Sequence, residues 1–434
     1  MLKQILSMFL MAALVGACTP KRPVASSPFI RVENGQFLRG DTPYYYIGAN
    51  FWYGSVLASE GEGGDRDRLH RELDYLKSIG VDNLRILVGA DGGCGVKCKV
   101  EPTLQIAPGV YNDTILAGLD YLLAEMGKRQ MVAVLYLNNS WEWSGGYGQY
   151  LEWTGHGKAA IPAVDGYQAY VEYVRQFQQS DSARTLFANY VNDMITRVNR
   201  YTNIKYVDDP AIMSWQICNE PRAFSDENKA AFATWIAQVA AQIKSLDKNH
   251  LVSTGSEGKW GCEGDLSLFE QIHADPNIDY INIHIWPYNW GWVSKDSLQE
   301  KMGNAKEETK AYLEEHLPVA RKYKKPIVIE EFGYPRDEFR FTKESSTDAR
   351  DAYYSYVFDL VSDKVASDGL IGGCNFWAWG GYAIPSSEHE YWQRGDDYTG
   401  DPAQEPQGLY SVFVTDNTVD IIKSACKCLK QNGL

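Results

Sequence analysis

Short apolar runs rich in β-branched and aromatic residues recur along the chain, each followed by a longer stretch whose apolar positions repeat at helical spacing. The runs are Tyr44–Ala49, Asn83–Val88, Met131–Leu137, Ile212–Cys218, Leu251–Thr254, Tyr280–Ile285, Pro326–Glu331 and Gly373–Trp377. Amphipathic stretches lie between them, among them Asp65–Ser78, Asp113–Gly127, Asn228–Ser245, Ala305–Lys322 and Thr347–Ala366, with Val419–Cys428 as a closing helix. Alternation of this kind predicts a parallel sheet. Eight such units fit a closed (β/α)₈ TIM barrel better than an open doubly wound sheet, and no dinucleotide-type glycine fingerprint follows the first run. Ahead of it, Phe29–Phe37 around Asn34-Gly35 reads as a hairpin that plugs the bottom of the barrel.

Length agrees with that picture. A chain of 434 residues, 44% of them hydrophobic, can bury one large core, so residues 29–434 read as a single catalytic domain. The net charge of −14 is spread without long like-charged runs, which argues against nucleic acid as a partner. The first residues change the picture. Met-Leu-Lys-Gln, an apolar run from Ile5 to Val15 and the small residues Gly16-Ala17 read as a signal peptide over 1–17, too short to span a bilayer. Val15-Gly16-Ala17-Cys18 is similar to a bacterial lipobox, which implies a lipidated Cys18, a tether over 18–28, attachment to a membrane through the lipid and a place in the cell envelope. A plain secretory signal is the alternative. Export permits disulfides; Cys94 and Cys98 lie four apart and could bridge or stay free, and a zinc site there lacks further ligands nearby.

In a (β/α)₈ barrel, chemistry sits at the C-terminal ends of the strands and in the loops after them. Eleven of the thirteen tryptophans fall there, including Trp52, Trp143, Trp286 and Trp377, while Trp215 and Trp235 read as core. Flat indole faces suit the apolar faces of sugar rings. The fourth run ends Asn219-Glu220-Pro221 and the seventh ends Glu330-Glu331-Phe332-Gly333, which places carboxylates on opposed strand ends. Glycoside hydrolysis needs such a pair, about 5–5.5 Å apart for retention of configuration and about 6.5–9.5 Å for inversion. Because neighbours on a strand alternate, only one of Glu330 and Glu331 is expected to face the mouth.

Asn219-Glu220-Pro221 and Glu331-Phe332-Gly333, at these positions, resemble the signature of clan A retaining glycosidases and of family 5 glycoside hydrolases in particular. The resemblance implies Glu220 as general acid/base and Glu331 as nucleophile. It also implies Arg85 as the cation that holds Glu331 ionised, Asn219 as partner of the sugar 2-hydroxyl, His284 as the histidine beside the acid/base and Trp377 as the platform at the cleavage point. Trp286 departs from the pattern, which has Tyr two residues after the histidine. The segments Phe29–Val32, Ile47–Gly54, Leu137–Gly146 and His284–Pro287 are most similar to the β-mannanase branch. That likeness implies an endo-acting β-1,4-mannanase on mannan, glucomannan or galactomannan. An exo-acting β-mannosidase and a β-1,4-glucanase are the nearest rivals, and a lipid-anchored glycan-binding protein without turnover is the reading from another class. Arg222, Glu257 and Trp260 sit where further subsites could lie. Nothing in the chain signals a metal, nucleotide or flavin, and the mechanism needs no cofactor.

Overall fold

The computed structural model describes residues 27–432, so the signal segment and Cys18 lie outside the described residues. Eight parallel strands form the central sheet: β1 (Tyr46–Asn50), β2 (Asn83–Leu87), β3 (Val132–Tyr136), β4 (Ile212–Gln216), β5 (Leu251–Ser253), β6 (Ile281–Ile285), β7 (Ile327–Phe332) and β8 (Ile371–Phe376). Their order is β5-β4-β3-β2-β1-β8-β7-β6. Every residue in all eight is buried, as expected for strands covered by helices on one side and packed against one another across the barrel on the other. The seam between β5 and β6 has no regular ladder. It is held by the Asp279 N–H donating to the Val252 carbonyl at 2.8 Å, by Val252 N–H to the Asp279 carboxylate at 2.6 Å and by Gly255 N–H to Asn282 Oδ1 at 2.9 Å. The expected (β/α)₈ barrel is therefore the fold.

Local sequence starts the outer helices. Asp65, Asn112, Ser180 and Asp265 each precede a helix and accept a backbone N–H from its first turn, opening Arg66–Ser78, Asp113–Lys128, Asp181–Ile195 and Leu266–His273. The bottom of the barrel is closed as the Asn34-Gly35 turn suggested. Strands Ile30–Glu33 and Gln36–Arg39 pair antiparallel, and Phe37 is fully buried. Ile30 and Phe37 join Tyr46, Val132, Val134, Met213, Leu251, Tyr280 and Val328, from strands around the barrel, in one apolar cluster. With the lower end filled, the upper end alone is open to a substrate. Trp215 and Trp235 are buried in the core, as their positions indicated. The seven cysteines among the described residues are all unbridged, Cys94 and Cys98 included.

Candidate active site

Glu220 follows the end of β4 at Gln216 by four residues, and an isolated bridge between Asn139 and Asn219 extends the β3–β4 pairing up to it. The Glu220 backbone is left-handed at φ 49°, a conformation that a side chain with a Cβ adopts at a cost. Two contacts hold it there: Glu220 N–H donates to the Gly255 carbonyl at 3.0 Å, and the Ser140 hydroxyl donates to the Glu220 carbonyl.

Opposite, β7 presents Glu331. Its neighbour Glu330 does not turn away as strict alternation requires. The β6–β7 register slips by one residue, pairing Ile283 with Ile329 but His284 with Glu331, so Glu330 is the extra residue of a bulge. Both carboxylates therefore reach Arg85, at different depths. Glu331 is ion-paired to Arg85 Nη1 at the mouth, while Glu330 Oε2 lies 3.8 Å from Arg85 Nε and accepts from Gln216 Nε2 at 2.6 Å, deeper in the barrel.

Arg85 is the hub. Its Nη1 also donates to Asn50 Oδ1 at 3.0 Å, its Nη2 to Asn219 Oδ1 at 2.7 Å and its Nε to Gln216 Oε1 at 2.8 Å, with the Tyr136 ring 4.4 Å below the guanidinium. A planar fork with fixed donor directions serves four acceptors at once. Asn219, with its Oδ1 engaged by Arg85, donates one N–H to Asn139 Oδ1 at 3.2 Å and keeps the other for a ligand.

Glu220 faces a histidine and an indole. His284 Nδ1 lies 2.8 Å from Glu220 Oε1 and 3.3 Å from Glu331 Oε2, and the Trp141 indole N–H donates to Glu220 Oε2. One oxygen each of Glu220 and Glu331 and a ring nitrogen of His284 all fall within 4.8 Å of one another. A cation could meet those three atoms, but Arg85, Trp141 and His284 already engage lone pairs of both carboxylates, so the donor set is built as a hydrogen-bonded pair rather than an open coordination shell.

Burial pushes the Glu220 carboxyl up from its ordinary range, against the Arg222 charge, the Trp141 N–H and the Arg85 charge, which favour its ionised form. Burial pushes Glu331 up as well, opposed by Arg85, and repulsion from Glu220 adds to the rise. Two carboxylates this close hold one proton between them. The guanidinium that donates to Glu331 draws the negative charge there and leaves the proton on the Glu220 side. His284 is pushed well below its ordinary value, by burial first and then by Arg85, so it is a neutral ring sharing a single proton with Glu220.

A model of family 5 β-mannosidase-like glycoside hydrolases matches residues 27–433. The chain belongs to that family. It is 32% identical to a family 5 mannosidase from Rhizomucor miehei, whose crystal structure superposes with a TM-score of 0.85 over 94% of this chain and 98% of that one. A variant of that enzyme in complex with mannosyl-fructose superposes at 0.86. A putative mannan endo-1,4-β-mannosidase from Oryza sativa subsp. japonica is 30% identical over 82% of each chain.

The remaining site residues of this family 5 glycoside hydrolase separate into two kinds. Trp377 is 4% and Trp286 8% exposed, with ring centres 5.8 Å apart at the floor beside the carboxylates. Trp286, where the family pattern has Tyr, lies close enough to Glu220 to favour its charged form. Trp52 and Trp143 pack edge to face at 6.0 Å in a buried cluster, and the Trp52 N–H donates to the Gly400 carbonyl. At 3% and 4% exposed they are as buried as Trp377, but they pack against each other and not against Trp286. Arg222 and Glu257 form an ion pair at 2.6 Å, the Arg222 guanidinium lies 5.4 Å from the Trp141 ring, and Trp260 stands exposed beside Trp290.

Asn50, Gln216 and Trp141 were not singled out from the sequence as site residues. Asn50 and Gln216 carry a legible signal, a polar side chain on or beside a strand that is otherwise apolar. Trp141 carries none beyond its loop.

Proposed function

We propose that the protein is a retaining glycoside hydrolase of β-1,4-mannosidic bonds, with Glu331 as nucleophile and Glu220 as general acid/base. The observation that carries this reading is the facing pair itself, with carboxyl oxygens within 4.8 Å and Arg85 donating to one of them. That spacing suits direct attack and leaves no room for a water between carboxylate and sugar. Glu331 attacks the anomeric carbon as the glycosidic C–O bond breaks, and Glu220 gives its proton to the departing oxygen. Glu220, now ionised, takes a proton from water, which displaces Glu331 from the anomeric carbon and returns both groups to their starting states. The mannosyl-fructose held by one relative and the mannan-cleaving name of another support mannosides as the substrate class.

Cleavage at the chain end is favoured by how closed the site is. Glu220 is 9% and Glu331 2% exposed, and the segment through Gly400 packs against both Trp52 and Ala378. An internal sugar must leave room for chain on both sides. Internal cleavage, the mode implied by the mannanase-branch segments, is the second reading, favoured by the likeness to the Oryza sativa protein over 82% of each chain. Attachment to a membrane through a lipidated Cys18 is proposed on the residues Val15–Cys18 alone.

Purified protein incubated with mannohexaose and with cellohexaose, products resolved over time, tests these readings. Mannose released first supports chain-end action, mannobiose and mannotriose support internal cleavage, and cutting of cellohexaose alone overturns the mannoside assignment. Proton NMR of the first product tests retention, since initial α-mannose would point to inversion. Glu331→Ala is expected to lower kcat at least about 10³-fold. Binding of mannohexaose without turnover by the wild type would leave only the glycan-binding reading.

A further inference from the structure

A buried carboxylate next to Glu331 has no part in the chemistry described so far. Glu330, the extra residue of the β7 bulge, is fully buried, and two amide side chains tie it to Arg85. Gln216 accepts from Arg85 Nε at 2.8 Å and donates to Glu330 Oε2 at 2.6 Å. Asn50 accepts from Arg85 Nη1 at 3.0 Å and donates to the Glu330 carbonyl, also at 3.0 Å. With Oε2 at 3.8 Å from Arg85 Nε, the carboxylate is held within reach of the guanidinium charge but makes no direct hydrogen bond to it. Its other oxygen, Oε1, is buried without a partner.

Glu330 and Glu331 therefore share one cation. Arg85 is itself fully buried, and a buried cation left without a counter-charge is strongly destabilising. Attack by Glu331 creates that situation. When its oxygen bonds the anomeric carbon, the electron pair of the broken C–O bond leaves with the departing oxygen, which Glu220 protonates, and Arg85 loses its ion-pair partner. Total charge is unchanged, since Glu220 becomes the anion, but Glu220 is hydrogen-bonded to Trp141 and His284 rather than to Arg85. Glu330 stays in place, tied by Gln216 and Asn50. Before attack the same anion weakens the hold of Arg85 on Glu331, and an attraction that must be given up in the transition state slows the step. The phenols near Glu330, Tyr46 of β1 and Tyr280 ahead of β6, are pushed up by burial and stay neutral. Burial pushes Glu330 up too, while Arg85, Gln216 and Tyr280 favour its charged form. Glu331 is faced by Arg85, Glu220 and Glu330, by the neutral His284 ring at 3.3 Å, and by the Tyr136 phenol of β3, which burial also keeps neutral.

We propose that Glu330 is the standing counter-ion of Arg85, an anion that loosens the hold on Glu331 before attack and keeps the buried guanidinium paired once Glu331 has become the glycosyl ester. The assignment rests on the retaining β-mannoside hydrolase reading and adds to it a positioning residue that acts only through Arg85 and the field it shares with Glu331. Glu330 touches no substrate and exchanges no proton with it. Because like charges repel, Glu331 ionises at a higher pH with Glu330 present than without it.

The test measures kcat/KM against pH on 2,4-dinitrophenyl β-mannoside, whose leaving group needs no proton, so the acidic limb reports ionisation of Glu331. Wild type is compared with three variants. Glu330→Gln keeps an acceptor for Gln216 and removes the charge, Glu330→Met is uncharged and of similar length, and Glu330→Asp keeps the charge. Both uncharged variants are expected to move the limb down by at least about half a pH unit and to lower the plateau at least about 10-fold, with Glu330→Asp closer to wild type on both counts. A limb that stays in place in both uncharged variants, or that moves as far in Glu330→Asp as in Glu330→Gln, overturns the assignment while the hydrolase reading stands. A wild type that cuts no β-mannoside overturns the hydrolase reading and the assignment with it.

Discussion

Arg85 does at residue scale what no single neighbour could. Its four directed contacts, to Glu331, Asn50, Asn219 and Gln216, hold the mouth carboxylate, the Asn219 amide and the deeper carboxylate network through one rigid fork. Lysine keeps the charge but loses the fork, so Arg85→Lys is expected to lower kcat/KM at least about 100-fold, measured on an aryl β-mannoside. The Trp141 contact makes a separate prediction about pH. Its N–H stabilises the charged form of Glu220 and so lowers that group's pKa. Trp141→Phe removes the donor, the pKa of the acid rises, and the alkaline limb of the kcat/KM profile moves to higher pH. A limb that stays in place would place the acid elsewhere. Burial opposes ionisation throughout the site, and it leaves the proton where the leaving group needs it, because Arg85 favours charge on Glu331.

At the scale of elements, the hairpin before β1 and the turn before β5 each tie the barrel together from below. Phe37 fills the space among Tyr46, Tyr280 and Gly372, so Phe37→Ala is expected to destabilise by about 3–5 kcal/mol, read as a lower denaturant midpoint at unchanged slope. Activity per folded molecule should persist, since the site is at the other end. Asp247, between the helix Lys229–Leu246 and β5, accepts from the Trp215 indole at 2.8 Å and faces His250 Nδ1 at 2.7 Å. Burial raises its pKa, but the His250 and Trp215 hydrogen bonds outweigh burial, and the net value lies below the ordinary one. A depressed folded pKa contributes stability in full above the unfolded value of about 3.9 and loses it as pH falls through the folded value. Asp247→Ala should therefore cost about 3 kcal/mol at neutral pH, and less below about pH 4, in denaturant titrations at both pH values. The β7 bulge is the element that sequence alternation could not anticipate: period-two reasoning sends Glu330 and Glu331 to opposite sides, and one inserted residue brings both to Arg85.

For the whole molecule, a barrel filled below and open above concentrates chemistry at one face, and attachment, if made through Cys18, is remote from it in sequence. No helix among the described residues is long and apolar enough to cross a membrane. Cys18→Ser is accordingly expected to move the protein from the membrane to the soluble fraction with kcat unchanged, checked by fractionation and by incorporation of labelled fatty acid. The sequence by itself determined the order of strands and helices, the hairpin plug and the two carboxylates that face each other at the barrel mouth. Strands buried on both faces read as apolar runs, and the Asn-Glu-Pro and Glu-Phe-Gly segments end the fourth and seventh of them. Tertiary structure alone decided which polar groups meet. Trp141 and Glu220 are 79 positions apart, and Arg85 and Glu331 are 246 apart. Local pattern reports burial and periodicity within an element. Contacts across the barrel depend on register, on one bulge and on the path of a long loop, which are fixed only when all eight strands close around the same core.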